Sequence, residues 1–186
     1  LYRRISMAKS LYNDNQGWNK EHAWPESRGL GSSGPDQNDV HNLFAADKTV
    51  NALRGNLYFD ESNPAEAGYV SPAATNAPLT SRDTDSWEPP DEVKGDLARA
   101  VFYMDVRYDG LEGDTLDLQV QDAPSTTAEG RMGVLTTLLA WHAADPPDGW
   151  ESNRNEKIYR SYQHNRNPFV DHPEWVPALF DPHHLD

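Results

Sequence analysis

The chain has 186 residues, 37% of them hydrophobic, with six Trp, eight Tyr and five Phe, a net charge of −14 and no cysteine. That supplies enough apolar area for one domain over residues 1–186, and the missing thiols exclude disulfides, iron–sulfur clusters, thiolate zinc and a cysteine nucleophile, so any metal must sit on oxygen or nitrogen. No apolar run approaches the roughly 20 residues of a membrane span, so no membrane partner is expected. Starting at Leu1 without an apolar leader, the chain reads as a processed form or an excised domain, which leaves room for a removed export signal.

The first predicted strand covers residues 22–24, ahead of Pro25, followed by a short helix over 45–54 and a second strand over 56–59. Residues 60–91 are punctuated by Asn63-Pro64, Ser71-Pro72, Ala77-Pro78 and Pro89-Pro90 and read as a long surface loop or insertion. Val93, Leu97, Val101 and Met104 then recur at helical spacing, predicting a helix over 91–107. Alternation of Leu116, Leu118 and Val120 predicts a strand over 115–120. Two more helices follow, over 130–143 (Val134, Leu135, Leu138, Leu139, Trp141) and 151–163 (Ile158, Tyr159, Tyr162), separated by Pro146-Pro147, and Pro168 bars helix soon after. The sum is an α+β fold, mostly helical, with a small antiparallel sheet.

The negative charge is uneven. Residues 1–59 carry seven Lys/Arg against six Asp/Glu, residues 60–130 four against sixteen, and residues 131–186 five against eight. The acidic middle reads as a solvated surface, with salt adaptation or structural calcium sites as the sharper alternatives. An acidic chain argues against a polyanionic partner, but the acid lies away from the segment richest in chemistry.

That segment begins at Glu21-His22, where a carboxylate suited to a hard divalent cation adjoins an imidazole able to accept a proton near neutral pH. Downstream come Asp39-Val40-His41-Asn42, then Val50-Asn51 and Arg54-Gly55-Asn56. An Asn carbonyl can complete a magnesium shell without adding charge that would repel a phosphate, and an arginine can hold a phosphate bidentately.

Asn-Lys-Glu-His-Ala-Trp-Pro-Glu-Ser (19–27), His-Asn-Leu (41–43) with Arg-Gly-Asn (54–56), Gly-Asp-Leu-Ala-Arg-Ala-Val-Phe-Tyr-Met (95–104), and Arg-Asn-Glu-Lys-Ile-Tyr (154–159) followed by Gln-His-Asn-Arg-Asn-Pro-Phe-Val-Asp-His-Pro-Glu (163–174) together resemble the bacterial endonuclease I family. The resemblance implies a ββα-metal (His-Me finger) nuclease of secreted or periplasmic location, acting as a monomer on DNA and/or RNA with little sequence preference. It implies one divalent ion, usually Mg with Mn or Ca as substitutes, and no organic cofactor. By motif, His22 matches the general base, and Glu21 and Asn56 the metal ligands; Arg54 and Arg99 are the candidates for the phosphate-gripping arginine. Products would carry 5′-phosphate and 3′-hydroxyl ends.

Blander readings stand beside these. His41 and Asn42 suit a scaffold role, bonding the hairpin that presents His22. Asn56 also suits a helix end, Asp96 and Arg99 suit each other on one helix, and Asn155, Gln163, Asn165 and Asn167 suit backbone capping. The competing function classes are a catalytically silent nuclease-like binding domain and a hydrolase of small phosphodiesters.

Overall fold

The computed structural model describes residues 1–31, 33–111, 115–123 and 130–183. β1 (Trp18–His22) pairs antiparallel with β2 (Leu43–Asp47), with Trp18 opposite Asp47 and His22 opposite Leu43. The strand begins earlier than the predicted 22–24 because Ala23 and Trp24 turn inward, both fully buried. β2 runs directly into α1 (Lys48–Arg54): the Asp47 side chain accepts from the backbone N–H of Thr49 and Val50, capping the helix at the last strand residue. Such a cap contributes roughly 1 kcal/mol and fixes where strand becomes helix. The predicted helix over 45–54 therefore loses its first three residues to β2.

β3 (Tyr58–Phe59) pairs parallel with β5 (Ser86–Glu88), and β4 (Ser81–Arg82) pairs antiparallel with β5. The proline-punctuated stretch 60–91 is thus mostly irregular but supplies two short strands. A third pair, β6 (Gln119–Val120) and β7 (Arg131–Met132), is parallel. The expected small antiparallel sheet becomes three small sheets among the described residues, two of which contain a parallel pair.

α2 (Lys94–Arg107) is the central helix. Every residue from Gly95 to Met104 is buried, the apolar ones in the core and Asp96 and Arg99 among the buried polar groups. α3 (Leu135–Ala144) packs along it, as does α5 (Pro168–Asp171). The helix predicted over 130–143 starts late because Phe59 and Gly133 exchange backbone bonds through Gly133 O and Val134 N–H, tying the segment after β7 to the sheet. α4 (Gly149–Ser161) is capped by Asp148, and α5 by Asn167, whose side chain accepts from Phe169 N–H. Pro168 sits at the first turn of α5, where its missing N–H costs nothing, so it opens a helix rather than barring one. α6 (Trp175–Phe180) closes the described chain.

Gly95 marks the closest approach in this bundle. Its N–H donates to Asp145 Oδ2 at 2.9 Å, and a Cβ placed there would stand 1.9 Å from the Asp145 carbonyl oxygen. Alanine's better helix propensity is worth at most ~1 kcal/mol, whereas forcing backbone apart costs about 1–3 kcal/mol. Gly95→Ala is therefore expected to lower stability, read as a reduced urea midpoint at unchanged slope.

Candidate active site

The hairpin and the helix it feeds bring Lys20, Glu21, His22, Asn51 and Arg54 to the lining of one open cleft of about 480 Å³. At Glu21, His22 and Asn51 one polar side-chain atom is fastened by the fold and, among the described residues, the other takes no hydrogen bond.

Glu21 is buried, and its Oε1 accepts from the Tyr2 hydroxyl at 2.6 Å and from Arg54 Nη1 at 3.1 Å. Among the described residues Oε2 takes no bond. Burial pushes the carboxyl above its ordinary pKa, while Arg54 and the Tyr2 hydrogen bond pull against that rise. A site in which ionisation is opposed by desolvation is one where an added cation is favoured.

His22 is half-buried, with Nε2 2.9 Å from the carbonyl oxygen of Gln37. A carbonyl can only accept, so neutral His22 carries its proton on Nε2 and its lone pair on Nδ1. Burial lowers its pKa, only partly offset by the bond to Gln37, which favours the neutral imidazole with its lone pair open to a proton. The loop delivering that carbonyl is itself fixed: buried Asp36 accepts from Gly31 N–H at 2.7 Å and Gln37 N–H at 2.9 Å, and Gln37 Nε2 donates to Glu26 at 2.9 Å. Sequence reading passed over Asp36 and Gln37 because the bond to His22 is made by backbone.

Asn51 faces β1 from the middle of α1. Its Nδ2 donates to Asn19 Oδ1 at 2.9 Å and to Lys20 O at 3.0 Å, so both amide protons are spent and Oδ1 remains an acceptor. The amide expected to serve this purpose, Asn56, lies elsewhere. It is exposed beyond Gly55, outside the cleft lining, with Nδ2 3.2 Å from Ser27 Oγ and its backbone carbonyl accepting from Arg28 Nε at 2.7 Å. The signal that singles out Asn51 is periodicity: Asn51 and Arg54, three apart, share the α1 face turned to β1.

The two arginines expected to grip phosphate are both buried. Arg54 is only 1% exposed, and its guanidinium is committed to Glu21 Oε1, the His22 carbonyl at 2.9 Å and the Ala23 carbonyl at 2.9 Å, with Phe59 beneath it. It holds Glu21 and the end of β1. Arg99, wholly buried on α2, donates to both Glu151 oxygens at 2.9 Å and to the Asp145 carbonyl at 2.7 Å, and sits 3.3 Å from Asp96. Burial and the neighbouring Glu151 push Asp96 up to about 7, so Glu151 is the principal counter-ion. Arg99 welds α2 to α4 and does not reach the cleft.

Asn42, fully buried, accepts from Trp24 N–H at 2.7 Å and donates to Trp24 O at 3.1 Å, pinning the chain just past His22. His41 is buried against Tyr103, its Nε2 3.3 Å from Asn165 O. Asp39 accepts from the hydroxyls of Tyr103 at 2.7 Å and Tyr108 at 2.8 Å, so this segment is bound to α2 through a buried polar network. In the acidic middle of the chain, Glu66, Asp83 and Asp85 bring carboxylate oxygens within 4.8 Å of one another. Asp83 is already bonded by Asn63, Asp85 and Ser86, which makes it the organiser of a turn.

The chain is 46% identical over 182 residues to the extracellular ribonuclease of Bacillus amyloliquefaciens, covering 97% of this chain and 60% of the relative. It is 44% identical over 182 residues, with the same coverage, to the extracellular ribonuclease of Bacillus subtilis (strain 168). An extracellular deoxyribonuclease of Aeromonas hydrophila is 30% identical over 135 residues, 73% of this chain and 50% of the relative. The chain thus spans about 60% of the length of the Bacillus relatives. The Endonuclease I family model matches residues 3–174, and the chain belongs to that family.

Proposed function

We propose that this protein is a divalent-metal-dependent endonuclease that hydrolyses phosphodiester bonds of RNA and DNA with little sequence preference, acting outside the cytoplasm as its relatives' names suggest. One observation carries the reading: Glu21 Oε2, His22 Nδ1 and Asn51 Oδ1 belong to side chains lining one cleft, and in each the opposite polar atom is anchored. Preorganised groups of this kind lower a barrier without reorganising during reaction.

Glu21 Oε2 and Asn51 Oδ1 are hard oxygen donors, one charged and one neutral, which fits Mg or a similar ion such as Mn or Ca. When bound, the ion supplies positive charge at the phosphate and at the departing oxygen. His22 Nδ1 takes a proton from water as the water oxygen bonds to phosphorus and the bond from phosphorus to the 3′-oxygen breaks, leaving a 5′-phosphate and, after protonation by solvent, a 3′-hydroxyl. Gln37 O steadies the imidazolium that forms, since its bond to Nε2–H persists throughout. Arg54 and Tyr2 hold Glu21 rather than substrate. Exposed Lys20, on the cleft lining, offers the phosphate the positive charge that Arg54 does not.

Plasmid DNA, RNA and bis(p-nitrophenyl) phosphate incubated with magnesium or with chelator test this directly. Cleavage of the polymers that stops with chelator is expected; activity on the small diester alone would point to a phosphodiesterase, and none on any would point to a binding domain. Asn51→Ala is expected to raise the magnesium needed for half-maximal rate by about tenfold or more, the scale on which loss of supporting interactions weakens metal sites. Asn56→Ala should leave it unchanged. The opposite ranking would return the amide ligand to Asn56.

A further inference from the structure

We propose that a groove along α4 is a base-stacking subsite that takes unpaired nucleobases of the strand being cut, with Lys157 on the adjoining phosphate. The proposal rests on the nuclease reading and extends it to how substrate is held.

The groove, about 390 Å³, has Val40, Leu43 and Ile158 among its walls, Trp150 and Tyr162 toward its two ends and Lys157 between them. Trp150 is 57% exposed and Tyr162 62%, so two large rings stand in solvent on a chain that buries Trp24 and Trp87 completely. They stand twelve positions apart along α4 and its C-terminal cap, about 18 Å at 1.5 Å per residue, which is room for a short stretch of strand rather than one ring.

Three features select a nucleic-acid strand as occupant. The first is charge. The chain is rich in Asp and Glu, yet among the described residues none lines this groove, which carries Lys157 and Arg154 instead. Among the described residues no carboxylate pairs with Lys157. The second is chemistry: aromatic faces beside an unpaired ammonium are what sequence-tolerant single-strand binding uses, because every base offers a π-face and every step a phosphate. The third is continuity with the cleft. Leu43 in the groove wall is the cross-strand partner of His22, and Arg154 fixes α4 to this segment by donating to Val40 O at 2.6 Å and Leu43 O at 3.0 Å. The groove wall thus adjoins the cleft through the His22–Leu43 pair, whose side chains share one face of the hairpin.

The test measures binding of a fluorescein-labelled hexauridylate by anisotropy, with chelator present so that nothing is cut, for the wild type and for Trp150→Ala, Tyr162→Ala, Trp150→Phe and Lys157→Ala. Stacking is worth about 1–3 kcal/mol per base on alanine substitution, so each aromatic truncation should weaken binding about tenfold, with Trp150→Phe largely restoring it. Lys157→Ala should reduce the slope of log affinity against log salt by about 0.7. The same truncations should leave the melting temperature and hydrolysis of bis(p-nitrophenyl) phosphate unchanged, since the rings are exposed and that substrate has no base. Unchanged hexauridylate affinity in both alanine variants overturns the proposal and leaves the groove to a protein segment. A protein that binds through Trp150 and Tyr162 but cuts no polymer keeps this subsite and loses the nuclease reading; one that cuts RNA indifferently to both rings does the reverse.

Discussion

His22→Ala is expected to reduce phosphodiester cleavage by about 10²–10⁴-fold, the usual contribution of a positioned general base, while leaving the fold intact. Among the described residues the half-buried His22 ring makes one hydrogen bond, to a loop carbonyl at 2.9 Å. Its loss should cost stability only about 0.5–1.5 kcal/mol. Purified His22→Ala protein that unfolds near the wild-type urea midpoint and cuts RNA at the wild-type rate would remove His22 as the base. The pH profile carries a second, signed expectation. The working form is the neutral imidazole, so rate rises as pH climbs through the His22 pKa, and burial places that pKa below its ordinary value. The acid limb of kcat/KM should therefore be centred below about 6.5 in the wild type, and absent from the residual activity of His22→Ala. An acid limb centred well above that value would contradict a desolvated, neutral His22. Added imidazole should partly restore the variant, because the cleft is open to solvent and about 480 Å³ in volume.

The pair Glu21-His22 could be read from the chain because adjacency is a property of sequence, and so could the helices whose apolar residues keep one period, such as Lys94–Arg107 and Gly149–Ser161. Asn51 was harder. On sequence alone, Asn56 beside Arg54 and Gly55 looks like a terminal amide free to bind, whereas the reach of Asn51 depends on which α1 face meets β1. That face is set by Asp47, which ends the strand and starts the helix at one residue. Gln37 left no trace at all, since its service to His22 is a carbonyl and any residue has one. The placement of the two arginines was not legible for a shared reason: a guanidinium near a phosphate site is as often the counter-ion of a buried carboxylate, and sequence does not report burial. Arg99 finds Glu151, 52 residues on, and Arg54 finds Glu21, 33 residues back. Pro168 shows the same limit in local structure, since whether proline ends or opens a helix depends on Asn167 capping the turn before it.

Replacing Arg54 is expected to produce the largest loss of stability of any single change near the site. Glu21 and Arg54 are each 1% exposed and paired at 3.1 Å. Breaking a buried pair by removing one partner costs about 3–5 kcal/mol, mostly because the remaining charge is stranded. For Arg54→Leu that is about 6–20 °C in melting temperature at the 2–4 °C per kcal/mol of a domain this size. Glu21 should then be driven further toward its protonated form, since Arg54 is the largest influence opposing the rise from burial. The double variant Glu21→Leu/Arg54→Leu should recover part of the loss, giving a coupling of about 0.5–3 kcal/mol in a double-mutant cycle. Arg54→Lys separates the two roles considered for this residue. An ammonium keeps the charge but cannot serve Glu21 and the carbonyls of His22 and Ala23 in the same planar fork. A positioning Arg54 therefore predicts that Arg54→Lys loses stability and metal affinity together, with KM for RNA little changed. A phosphate-gripping Arg54 predicts a raised KM at wild-type stability, and that result would reverse the assignment.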